Sequence, residues 1–351
     1  MIQKLTLNDA YFGKKIHYFT KNMKILSSNW TIYIYEEGIK EKKIRLVGKW
    51  WHLFAFTRII ARFLRSDQYN IIYLTELREI YILRDGNLYN INIDIYKEKK
   101  FIGQVPFRGI MHNAQCNLPS GCIIFGSYGN HTSQQKLILY KIDPETKTLR
   151  HSEILTSLKA KHIHSVRWDP YSETIWVCTG DLDNNCHIII LRENLSIVKT
   201  IGDGSQIYRT CDFIFKNDSV IWAMDSPIKH SYIIKYDRCT NDVSLLLRID
   251  GPGWLIASVA GQHYLSIVSE PGESVETKGP IIMVSNDGEK WVEYLKYTKD
   301  FWPSIFKFGV CEIGSSDGEY LYINHQGSKE KDGVSEVYAH DQDSNLNYEN
   351  S

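Results

Sequence analysis

Neither sign of charge dominates this sequence. Its 41 Lys and Arg balance 41 Asp and Glu, for a formal net charge of zero. No long-range field therefore draws the chain to nucleic acid or an anionic membrane, and neither is an expected partner. Long apolar runs are also missing. The nearest, WWHLFAFTRIIARFL, is interrupted by His52, Arg58 and Arg62 and falls short of the roughly 18 apolar residues that cross a bilayer, so membrane insertion is not expected. The first residues, MIQKLTLNDAYFGKKIHYFTKNMKIL, hold no apolar core of the kind a signal peptide needs. The seven Cys are odd in number and lack paired metal-ligand spacing, which fits reduced thiols packed as small hydrophobes in the cytoplasm. A Walker loop, a His-Glu-x-x-His pair and a dinucleotide fingerprint are absent as well, which sets aside the enzyme classes built on them.

Aromatic residues are abundant: 22 Tyr, 13 Phe and 9 Trp tilt the chain toward β structure. A short pattern also recurs, in which a turn residue precedes four to six β-formers and a polar cluster follows. Its copies are WTIYIYEEG around Tyr33, REIYILRDG around Ile82, GCIIFGSYG around Ile124, ETIWVCTGD around Trp176, SVIWAMDSP around Trp222, QHYLSIVSE around Leu265 and GEYLYINHQ around Tyr322, with centres roughly 42 to 57 residues apart. That period matches a four-stranded propeller blade. Around Trp176 the whole unit is legible as HIHSVRWDP, ETIWVCTGD, CHIIILREN and LSIVKTIG, with the anchor as the second strand. The expected fold is an all-β, seven-bladed β-propeller spanning residues 1–340, closed by an N-terminal strand added to the last blade. A six-bladed ring is the alternative, because RIIARFLR after the first copy reads as one or two helical turns through Ile59, Ile60 and Phe63. Residues 341–351 are polar and are expected to form a mobile tail.

The segment Ser285-Asn286-Asp287-Gly288-Glu289-Lys290-Trp291 resembles the Asp box of bacterial-neuraminidase repeats, the Ser-x-Asp-x-Gly-x-Thr-Trp hairpin of sialidase-like propellers. It is one residue shorter and clear only once. The resemblance implies kinship of fold. The family's Arg-Ile-Pro sequence is missing, and its arginine triad, Tyr-Glu pair and acid Asp have no residue-by-residue counterparts here.

In a propeller, the loops that enter each innermost strand share a face with the loops that leave the second strand. Arg108, His162, His164, Gln206 and Arg209 stand at the first position; Tyr128, Asn130, Asp181, Asp225, Glu270 and His325 stand at the second. All are expected at one mouth of the channel. An Asp in a Thr-Gly-Asp or Asp-Ser-Pro turn has a plain capping role, so the case for a site is collective. Asp181, Asp225 and Glu270 offer the paired carboxyls of glycoside hydrolysis, with His162 and His164 as acid–base or positioning groups. Arg108 and Arg209 are candidate clamps for an anionic group, whereas Arg167, on the opposite side of its strand from His164, is expected to pair between blades. Tyr128, Tyr208, Trp254 and Trp302 are candidate stacking faces.

The leading expectation is therefore a glycoside hydrolase acting on an acidic or modified oligosaccharide or glycoconjugate, without a cofactor. A noncatalytic propeller binding a glycan or a protein is the first alternative. The second is a polysaccharide lyase with a divalent metal at His162 and His164, completed by Gln206 or Asp181.

Overall fold

Runs of β-formers separated by Gly, Asp and Asn turns favour antiparallel neighbours joined by tight connections. The computed structural model describes residues 4–340 apart from 47–48, 67, 112, 129–136, 154 and 156–159. Asn130 and the expected tail at 341–351 lie outside the described residues. Seven antiparallel sheets of four strands each form a ring, a seven-bladed β-propeller. Blade 1 covers 15–45, blade 2 covers 70–104, blade 3 covers 115–152, blade 4 covers 163–204, blade 5 covers 213–249 and blade 6 covers 253–296. Blade 7 takes three strands from Val310–Gly314, Tyr320–Gln326 and Val334–His340, and its outer strand from Leu5–Phe12 at the other end of the chain. Leu5 pairs with His340 and Phe12 with Val334, fastening the two ends of the ring together.

First strands of neighbouring blades pack on one another, as Gln115–Asn117 does on Ile163–Asp169 and Gly253–Val259 on Val310–Gly314, so they surround the central axis. Second strands are covered on both faces by adjoining blades. Every residue of Glu79–Arg84, Ile123–Gly126, Thr174–Thr179 and Ser219–Ala223 is buried, which is why these segments read as unbroken apolar runs instead of alternating ones. Trp176 of blade 4 packs edge-on against Phe213, Phe215 and Tyr236 of blade 5, and Trp222 lies in the same cluster.

Two details differ from the sequence pattern. The copy around Tyr33 is the third strand of its blade, Thr31–Glu36; the second is Met23–Ser28, whose MKILSS lacks the aromatic signature of the other anchors. The segment after it does form a helix, Arg58–Leu64, but it buries Ala61 and Arg62, while Ile60 and Phe63 face outward. Ion pairing decides this orientation: Arg62 reaches Asp300 at 2.5 Å and donates from Nε to the Phe306 carbonyl at 2.8 Å. No helix among the described residues is long and apolar enough to cross a membrane.

The SNDGEKW hairpin joins the last two strands of blade 6. The Ser285 hydroxyl accepts from the Gly288 amide at 2.8 Å, an Asp287 carboxylate oxygen accepts from the Lys290 amide at 2.8 Å, and the Trp291 indole donates to the Gly288 carbonyl at 2.6 Å. Every one of these bonds closes within the turn, so its role is structural.

Candidate functional site

A repeated irregularity builds the site. In the first strand of blade 4, Ile163 pairs with Thr179 and Ser165 with Cys178, leaving His164 as the extra residue of a bulge. Blade 6 does the same at Trp254, between Gly253 and Leu255. A bulge re-aims its side chain away from the regular alternation. From the two blades flanking blade 5, both bulged side chains converge on Asp225. His164 Nδ1 lies 3.0 Å from Asp225 Oδ2, and the Trp254 indole donates to Oδ1 at 2.9 Å. The Cys211 thiol donates to this buried carboxylate at 3.3 Å, and Arg209 Nε forms an ion pair with it at 3.4 Å.

The other nitrogen of His164 faces the turn that follows the second strand of blade 4. Gly180 there has φ of +139°, and a Cβ at that position would meet Cys186 Sγ at 2.6 Å, so glycine is required. Its carbonyl accepts from His164 Nε2 at 2.7 Å. Asp181 follows, with Oδ1 3.6 Å from His164 Nε2 and Oδ2 3.4 Å from His162 Nδ1. Its own carbonyl accepts from Arg209 Nη1 at 3.0 Å and Gln206 Nε2 at 3.4 Å. Tyr128, His162 and His164 form a stack of rings with centroids 4.5 Å apart. Blade 3 comes this close because Gly126 has no side chain; a Cβ there would sit 2.5 Å from Ile163.

These contacts set the protonation states. A carbonyl only accepts and an ionised carboxylate only accepts, so both nitrogens of His164 carry protons. Burial opposes that charge, but Asp181 and Asp225 outweigh it and push His164 up to about 9. Burial also works to raise Asp225, yet Arg209 and then His164 hold it down at about 2. Asp181 is lowered too, burial being overcome first by His164. His162 is kept neutral, down at about 3, by burial and by its charged neighbour His164. Glu270 moves the other way: burial first, then the Asp225 anion, push it up to about 7. Below pH 7, two anions and two cations thus cancel, leaving Glu270, His162 and Tyr128 as neutral hydrogen-bonding groups beside them. Asp181 Oδ2 is buried without a hydrogen bond.

Of the residues expected at the mouth, the structure gathers Tyr128, His162, His164, Asp181, Gln206, Arg209, Asp225, Trp254 and Glu270 from blades 3 to 6. Two others lie apart from them. Arg108 is exposed and pairs with Asp85 at 3.4 Å on the rim of blades 2 and 3. His325 is buried within blade 7, with Nε2 2.9 Å from Glu336 and its ring edge-on to Tyr297, because its strand turns that side chain into the blade. Asn130 is not among the described residues. Tyr208 packs on Trp222 between blades, and Trp302 rests on Phe306, so neither stacks at the cluster. Arg209 is present but is engaged by Asp225 and the Asp181 carbonyl, which removes it as an open clamp for an anion. Arg167 pairs with Asp212 of the next blade at 3.1 Å, as its strand side implies. Cys211 and Ser226, whose hydroxyl donates to Gln206 Oε1 at 2.8 Å, belong to the network and were not singled out by sequence. Cys211 was legible in principle, since it lies two residues beyond Arg209 on an extended segment.

Donor atoms of His162, His164 and Asp181, and separately of His164, Cys211 and Asp225, fall within 4.8 Å of one another. A metal ligand must present a bare nitrogen, whereas both His164 nitrogens are turned onto acceptors. In this arrangement the cluster is an ion-pair network centred on an imidazolium, built from the same donor atoms a divalent ion would use.

No family model and no curated protein matches this chain. Among solved structures it is similar to the AfRom2 CNH domain, with a TM-score of 0.56, 10% identity and coverage of 96% of this chain and 99% of that one. It is also similar to PorZ, described as an essential bacterial surface component of the type-IX secretion system of Porphyromonas gingivalis, with a TM-score of 0.52, 11% identity and 96% of this chain matched. This chain spans only 39% of PorZ. At such identities the likeness establishes the propeller fold alone.

Proposed function

We propose that the chain is a carbohydrate-active propeller in which the mouth at blades 4 to 6 binds a glycan and performs acid–base chemistry on it, with Glu270 as proton donor and Asp181 as the ionised partner. One observation carries this reading: two carboxyl groups of a single cluster are driven apart, Glu270 up to about 7 and Asp181 below its ordinary value. Glycoside hydrolysis needs that division between a protonated acid and an ionised base or nucleophile. The charges around them cancel, so the ligand groups favoured are hydroxyls rather than an anion, and the Tyr128–His162 stack offers an aromatic face to a sugar ring. An acidic glycan is the weaker expectation, since Arg108 stands apart and Arg209 is engaged. Asp225, with donors on every side, is assigned a positioning role in place of chemistry.

The test is turnover and binding on a panel of oligosaccharides. Glu270→Gln and Asp181→Asn are each expected to fold, to keep glycan affinity by calorimetry, and to lose hydrolysis by about 10²–10⁴-fold. Wild-type turnover is expected to fall as pH rises through 7, where Glu270 loses its proton. Full turnover by Glu270→Gln would remove it as the acid. The noncatalytic binding reading is favoured by the mutual engagement of His164, Arg209 and Asp225, which leaves few groups for chemistry. Glycan affinity in the wild type with no bond cleavage on any member of the panel would establish that reading instead.

A further inference from the structure

The large connection between blades 1 and 2 does not pack like the other loops. It joins an outermost strand to an innermost one, so it lies on the face that carries the Asp181 and Asp225 turns, and the connection of blades 6 and 7 lies there too. Between them these two connections expose Trp50, Phe54, Phe56, Phe63, Phe301 and Ile305; Phe56 is 79% and Phe301 84% accessible. The two connections meet in a row of rings: Phe63 meets Phe306 at 5.5 Å, Phe306 meets Trp302 at 5.5 Å, and Trp302 meets Phe301 at 4.9 Å; on the first connection Trp50 meets Phe54 at 5.9 Å. Arg62 clamps the two connections through Asp300 and the Phe306 carbonyl. Isolated exposed apolar residues need no explanation, but a clustered aromatic patch does.

The two connections hold more basic than acidic residues although the whole chain is balanced. Residues 46–69 carry Lys49, Arg58, Arg62 and Arg65 against Asp67, and residues 297–309 carry Lys299 and Lys307 against Asp300. The nearby carboxylates Asp300 and Asp332 are drawn inward onto Arg62, and Arg65 is exposed with no ion pair among the described residues. Exposed aromatic side chains among an excess of basic residues match the headgroup layer of an anionic bilayer. The rings sit at the acyl boundary, and the cations meet lipid phosphates.

We propose that this face docks peripherally on anionic membranes through Trp50, Phe56, Phe63 and Phe301, with Lys49 and Arg65 supplying the electrostatic attraction. The mouth of the channel then opens toward the headgroup layer. This departs from the absence of a membrane partner expected from net charge, because a local basic segment acts over a Debye length that the average over the chain conceals.

Co-sedimentation of the full chain with sucrose-loaded vesicles tests the proposal. Vesicles of phosphatidylcholine mixed with phosphatidylglycerol are expected to bind it at least about tenfold more tightly than phosphatidylcholine alone. Phe56→Ser with Phe301→Ser, two exposed positions whose replacement is expected to leave the circular dichroism spectrum unchanged, is expected to lower binding about tenfold or more. Arg65→Glu is expected to weaken it by about fivefold or more, and only on the anionic vesicles. The proposal is overturned if the wild type stays in the supernatant with both lipids, or if the double variant sediments as the wild type does. It is equally overturned if analytical ultracentrifugation shows that the patch is buried in self-association which the same substitutions dissolve. Glycan turnover is read separately, so a failure of docking leaves the assignment of Glu270 untouched.

Discussion

His164 is the pivot of the site because its two ring nitrogens meet acceptors of different kinds, a carbonyl and a carboxylate, and only the imidazolium satisfies both. Its folded value of about 9 lies above its ordinary 6.5. The stability it contributes is therefore fully present below about pH 6.5 and is lost as pH rises through 9. Urea unfolding is expected to show a fall on the order of 3 kcal/mol across that window, at about 1.4 kcal/mol for each pH unit between the two values. In His164→Gln the same window is expected to be flatter. Equal slopes in the two proteins would show that His164 is neutral in the folded state. The motif His-x-His was visible in the sequence, but its spacing alone was equally compatible with a metal, a sugar or a core role. What the structure adds is the identity of the opposing atoms, which come from Gly180 and from Asp225 in a different blade.

At the scale of the element, two features of the strands do separate work. Second strands supply the packing between blades, and bulges in first strands supply the site. Trp176 and Trp222 are buried in the seam of blades 4 and 5, and either one changed to Ala is expected to destabilise the fold by about 3–5 kcal/mol in chemical denaturation. A loss under about 1 kcal/mol would mean that the seam closes over the cavity. The anchors around Ile82 to Tyr322 were legible because a strand buried on both faces must be apolar throughout. The misplacement around Tyr33 has the same origin: Met23–Ser28 carries the burial of a second strand without the aromatic residues that mark it elsewhere. Bulges leave no comparable trace. His164 and Trp254 sit within ordinary runs of β-formers, and only the pairing register with the next strand shows them to be supernumerary.

For the whole molecule, closure is the main structural demand. Leu5–Phe12 supplies the outer strand of the last blade, so a chain lacking residues 1–12 would expose the edge of Val334–His340 and leave the ring without its closing strand ladder. Such a truncation is expected to broaden the unfolding transition and to promote association. A sharp, wild-type transition would show that the closing strand is dispensable. The same ring geometry explains how residues as far apart in the chain as Tyr128 and Glu270 come into one cluster.

What the sequence by itself determined is the repeat: its period, the burial of its second strands and the face on which its polar turns emerge, all of which follow from local propensity and from each blade's need to be covered on both sides. What only the tertiary structure decided is which polar residues meet and what charge they carry. The register that makes His164 an extra residue, the pairing that withdraws Arg209 from any anion, and the burial that lifts Glu270 to about 7 each depend on atoms brought together from different blades, and electrostatic effects of that kind are set by distances that no local pattern encodes.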